Sequence, residues 1–203
     1  MEDGIYNLNT GNIVLNGVTI SGGYGIQNEG KGSVMVNDGT IRGGDYGIYN
    51  NTGDVIINGG KISNISSSSP VIYNKTGNVT VNGGTINGGE YGIKNYSTGH
   101  VTINGGRVTG NYGIYNKDTG TITVNGGTIT SSWDRFSKNN YGIYNEGTGT
   151  IIVGTKEDGI VSQEEPYIKS PNTANSVKSY GIYNVKGKLY IYDGKIEGAT
   201  KAV

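Results

Sequence analysis

The chain of 203 residues contains no cysteine. That excludes disulfide staples and thiolate metal sites, and it fits either redox compartment. An excess of charge of one sign is also missing: 16 Lys and Arg balance 16 Asp and Glu. The chain therefore lacks the basic footprint of a nucleic-acid or anionic-membrane binder. No apolar run is long enough to span a bilayer, and Met1-Glu2-Asp3 leads into the body of the chain without a charged-then-apolar leader. Histidine occurs once, at His100, which leaves a triad or zinc site without partners. Hydrophobic residues make up only 33%. That is marginal for a compact globule but sufficient for a solenoid, where each coil shares the burial of a few inward residues with its neighbours.

What is present is periodic. Tyr-Gly-Ile-Tyr-Asn or a close variant recurs with its central isoleucine at Ile5, Ile26, Ile48, Ile72, Ile93, Ile114, Ile143 and Ile182, and Val203 closes the series. The steps are 21, 22, 24, 21, 21, 29, 39 and 21 residues, a period that signals stacked structural repeats. A second motif alternates with period two, as in Val79/Val81, Val101/Ile103 and Ile122/Val124, the pattern of a half-buried strand. A third adds one inward aliphatic after the glycines: Ile20, Ile41, Ile62, Ile86, Val108, Ile129 and Ile196. Three short strands per repeat, separated by Gly, Asn, Asp and Thr turns, predict an all-β parallel β-helix of about eight to nine coils of 21–22 residues. The asparagines that end the first strand, from Asn7 to Asn184, and those that open the Asn-Gly-Gly corner, from Asn16 to Asn125, read as two stacked amide ladders.

These coils and ladders resemble the right-handed parallel β-helix of the pectate-lyase superfamily. The pairing of YGIYN with NGGTI is similar to repeats in large secreted, adhesin-like surface proteins of bacteria. The resemblance covers nearly the whole chain and implies a right-handed fold and an extracellular or cell-surface location. It does not select an activity, since that fold hosts lyases, hydrolases, tailspikes and non-catalytic adhesins.

Residues 1–203 read as one domain with coil insertions at about 66–70, 131–140 and 154–179, most of the extra residues entering between the third strand of one coil and the first of the next. The second insertion carries Trp133, Asp134, Arg135 and Phe136, with the only tryptophan and the only phenylalanine. Departures from a repeat are where binding residues collect. Tyrosines next to the inward isoleucine, among them Tyr115, Tyr144 and Tyr183, should face outward as a stripe able to hold sugar rings or a protein; the same rings also stabilise a sheet by pairing across strands. The expected ligand-binding set is Trp133, Arg135, Phe136, Tyr115, Tyr144 and Tyr183. A second tyrosine set, Tyr24, Tyr46, Tyr91, Tyr112, Tyr141 and Tyr180, reads as corner packing.

No catalytic, cofactor or metal residues are assigned. Asp45 and Glu90 share a repeat position two coils apart, at the limit for an inverting pair of carboxylates, and Glu164-Glu165 near Asp158 is the best calcium candidate. The expectation is a non-catalytic extracellular module for adhesion to a glycan or host protein, or a spacer. The alternative is a polysaccharide lyase or glycoside hydrolase. Neither end carries an amphipathic cap, which reads as a fragment of a longer surface protein or as ends covered by self-association.

Overall fold

The computed structural model describes residues 2–132, 139–155, 165–171 and 178–198. The chain opens with β1 (Ile5–Asn7), β2 (Ile13–Asn28) and β3 (Val34–Asn50), the last two running through two corners each, followed by β4 (Val55–Ile57), β5 (Lys61–Asn64) and β6 (Pro70–Asn74). Later coils repeat the pattern in strands of three to seven residues, and strands of one coil pair in parallel with those of the next. This is an all-β parallel β-helix with three strands per coil and eight described coils.

Register follows the repeat. Ile5 lies beside Ile26, Ile26 beside Ile48, and the series continues through Ile72, Ile93, Ile114 and Ile143 to Ile182. A slip by one residue would turn each of these side chains from the core to solvent, so the aliphatic alternation itself pins the pairing. In the fifth coil Ile93, Val101, Ile103 and Val108 are all fully buried. Each such side chain removed from water stabilises the coil by about 2 kcal/mol.

Two amide ladders tie the coils together. The inner one runs Asn7, Asn28, Asn50, Asn74, Asn95, Asn116, Asn145, Asn184, each Nδ2 donating to the Oδ1 of the next at 2.7–2.9 Å. The same Nδ2 also donates to a turn carbonyl of its own coil, such as Gly99 O from Asn95 and Gly120 O from Asn116. From Asn28 to Asn145 these side chains are fully buried. The outer ladder, Asn16, Asn37, Asn58, Asn82, Asn104, Asn125, is exposed and runs the other way, each later amide donating to the earlier one. At the adjoining corner Gly60, Gly84, Gly106 and Gly127 have φ between +76° and +78°, a left-handed conformation that a β-carbon would strain.

At Ser66–Pro70 Asn64 Nδ2 donates to the carbonyls of Asp45, Ser69 and Pro70 across the base of the loop. Of the two later insertions, 133–138, 156–164 and 172–177 lie outside the described residues. Within 154–179, however, Tyr167–Ser170 forms the third strand of its coil, with fully buried Ile168 paired to Ile129 and Ile196. That segment therefore holds two insertions at two different corners, divided by a strand. Pro166 stands where other coils have the Gly-Gly signal; its carbonyl accepts from Lys195 N at 2.8 Å. Loss of that signal hid the strand.

Candidate functional site

The outer face of the sheet built by the first strands carries two adjacent columns of tyrosine. In one, Tyr49 stacks on Tyr73 at 5.2 Å, and Tyr115, Tyr144 and Tyr183 stack in succession at 5.5 and 5.4 Å with planes within 6°. In the other, Tyr112, Tyr141 and Tyr180 stack at 5.0 and 5.4 Å. Rings of one column meet those of the other edge to face, as in Tyr112 with Tyr115 at 82° and Tyr141 with Tyr144 at 65°. The last three coils thus present a herringbone of six rings. Both offset-stacked and edge-to-face pairs lie at favourable quadrupole geometry and add about 0.5–1.5 kcal/mol each.

Tyr115, Tyr144 and Tyr183 are therefore brought together in one stack, with Tyr144 between the other two. Of the three, Tyr183 is exposed, at 39%, while Tyr115 and Tyr144 are half-buried. The second set is more than corner packing: its rings complete the herringbone, and Tyr141 is only 6% exposed. Trp133, Arg135 and Phe136 lie outside the described residues.

Burial, before any other cause, raises Tyr112, Tyr115, Tyr141 and Tyr144 above the usual phenol range and keeps them protonated. Burial, then neighbouring tyrosines, push Tyr73 and Tyr141 up to about 12. Tyr115 is raised further by burial and by its hydrogen bond to the Glu146 carboxylate, which accepts from the hydroxyl. Such groups serve as donors and packing surfaces, not as bases at neutral pH. Because the folded-state values lie above the unfolded one near 10, their contribution to stability is intact below pH 10 and is lost as pH rises through about 12. Phenolate absorbance should consequently lag in the folded protein behind the same titration in urea. Coincident curves would show that the rings are freely solvated.

Asp45 and Glu90 stay two coils apart, and among the described residues no group of three or more His, Asp or Glu is placed to hold a metal. Of the calcium candidates Glu165 is described, whereas Asp158 and Glu164 lie outside the described residues. His100 has a structural role that its position alone did not reveal. Its Nδ1 accepts from Thr121 N at 3.2 Å, as Asn78 Oδ1 accepts from His100 N at 3.0 Å. The imidazole proton is thereby assigned to Nε2. A shallow groove of about 610 Å³ follows the outer ladder, lined by Asn82, Gly83, Gly84, Asn104, Gly105, Gly106 and Arg107.

Compared with protein-family models, curated proteins and solved structures, the chain finds no match.

Proposed function

We propose that this chain is a non-catalytic extracellular β-helix module of a bacterial surface protein, working in adhesion, with the tyrosine face of the first sheet as its contact surface. The observation that carries the reading is the herringbone from Tyr112 to Tyr183: a rigid strip of tyrosine rings on a scaffold laced by the asparagine ladders. Tyrosine supplies large contact area at little cost in side-chain entropy, and it is enriched where proteins meet. The mutual stacking of the rings favours a protein partner over a glycan, because a sugar ring seeks an open aromatic face. The extracellular placement rests on the likeness of the repeats to those of surface adhesins.

The test is an array of glycans and surface proteins probed with the purified chain and with a variant carrying Tyr115→Ser, Tyr144→Ser and Tyr183→Ser, with new reducing ends assayed on every polysaccharide hit. A bound protein lost by about tenfold or more in the variant is the expected result. A glycan lost in the same way would keep the adhesive face but change its ligand class. Release of reducing ends would overturn the reading in favour of a polysaccharide-degrading enzyme. Binding unchanged in the variant would remove the tyrosine face from the account.

A further inference from the structure

The tyrosine column that contains Tyr115 is interrupted at two equivalent places, and the two interruptions are filled differently. In the fifth coil Lys94 stands where a tyrosine is expected; its ammonium lies 4.6 Å from the centre of the Tyr91 ring and 5.5 Å from that of Tyr115. In the second coil the same position holds Gln27, in register between Tyr6 and Tyr49. The surrounding rings correspond one to one: Tyr24, Tyr46 and Tyr49 take the places of Tyr91, Tyr112 and Tyr115. Tyr24 lies 4.9 Å from Tyr46 and 5.8 Å from Tyr49, against 4.9 Å and 5.1 Å for the later trio, although the rings are turned differently, at 86° and 24° in the first trio and 30° and 52° in the second.

The earlier trio differs in its charge. Asp3 Oδ1 accepts from Tyr24 N at 3.0 Å, Asp45 immediately precedes Tyr46, and Glu29 accepts from Gln27 Nε2 at 2.7 Å and from Asn51 Nδ2 at 3.1 Å. Three carboxylates thus border three rings, and no cation is seated on those rings among the described residues. Lys31, in the same turn as Glu29, forms no ion pair among the described residues. Ring quadrupoles and carboxylates attract the same ligand, an ammonium or guanidinium. The fifth coil contains an ammonium in that setting, supplied by the chain itself.

We propose that the patch formed by Tyr24, Gln27, Tyr46 and Tyr49, bordered by Asp3, Glu29 and Asp45, docks a lysine side chain of a basic partner polypeptide in the way that Lys94 occupies its counterpart. The inference rests on the adhesion reading only in using the same sheet, since its residues are separate from the herringbone of Tyr112 to Tyr183. Gln27 is neutral and is held to Glu29 by its Nε2, so the chain supplies no cation of its own at this patch, whereas Lys94 supplies one at the equivalent place.

The experiment titrates a fluorescent peptide of alternating glycine and lysine against the full chain at about 0.15 M salt, where distant exposed charges are screened. The wild type is expected to bind one peptide saturably with a Kd below about 1 mM. Gln27→Lys, which supplies an internal ammonium as Lys94 does, should weaken binding about tenfold or more; Asp38→Asn, at a different corner, should not. Lys94→Gln should open the second patch and raise the stoichiometry from one towards two. Thermal melts establish that each variant is folded. Absence of saturable binding to the wild type, or equal binding by Gln27→Lys, overturns the proposal. If the peptide fails while an array ligand still depends on Tyr115, Tyr144 and Tyr183, only this inference falls; if the peptide binds and the triple variant loses nothing, the adhesion reading falls alone.

Discussion

Replacing Asn95 by alanine is expected to destabilise the solenoid by about 3–9 kcal/mol, a large part of the roughly 5–15 kcal/mol typical of a whole domain. Asn95 donates to Asn116 Oδ1 at 2.8 Å and to Gly99 O at 2.5 Å, and its own Oδ1 accepts from Asn74 at 2.9 Å. Its removal orphans two acceptors and one N–H at a site with no access to water, each costing about 1–3 kcal/mol. The exposed ladder supplies the control. Asn104 makes equivalent bonds to Asn82 and Asn125, but water can take them over, so Asn104→Ala should cost about 1 kcal/mol or less. Urea unfolding of both variants decides the matter. Similar midpoints would mean that the inner amides are replaceable by water or by relaxation of the coils, and that the ladder is not what holds the stack in register.

An equally large loss is expected from Gly77→Ala. A β-carbon there would lie 1.8 Å from Gly53 O and 2.7 Å from Gly53 C, in the same turn one coil earlier. Both contacts are with backbone, so the coils must separate locally, and the ladder bond between Asn50 and Asn74 must stretch with them. The cost should be about 3 kcal/mol or more. Gly11 occupies the same place in the first described coil. Its β-carbon would meet nothing nearer than Asn7 Oδ1 at 3.8 Å, and Gly11→Ala should be neutral or stabilising by about 0.5 kcal/mol through a less flexible unfolded chain. Equal effects at the two glycines would show that the turn's own conformation, and not the neighbouring coil, requires glycine.

Much of the fold was legible because a solenoid turns local pattern into global structure. The isoleucine at the centre of each YGIYN motif named its own neighbour one period away, and the asparagines two residues later named theirs. Legibility failed where the signal was local and absent: without a Gly-Gly pair before it, Tyr167–Ser170 read as loop, although Ile168 carries the inward aliphatic of its coil. The candidate site was legible only as a direction. Alternation placed Tyr115, Tyr144 and Tyr183 on the outer face, but whether ring faces or ring edges meet solvent depends on tilts that no spacing encodes. His100 read only as a lone histidine without catalytic or zinc partners, and its bond to Thr121 N appears only when the next coil is laid on top.

The sequence by itself determined the period, the inward residues, the asparagine columns and the parity of every strand that carries the motif, because side-chain alternation and turn chemistry act within a few residues. Tertiary structure alone decided which glycines have the preceding coil's backbone against them, how the tyrosines share their faces, and that the Lys94 ammonium lies over the rings of Tyr91 and Tyr115. The physical reason is distance. These properties arise between coils stacked about 4.8 Å apart, where contact is made with residues a full period away along the chain.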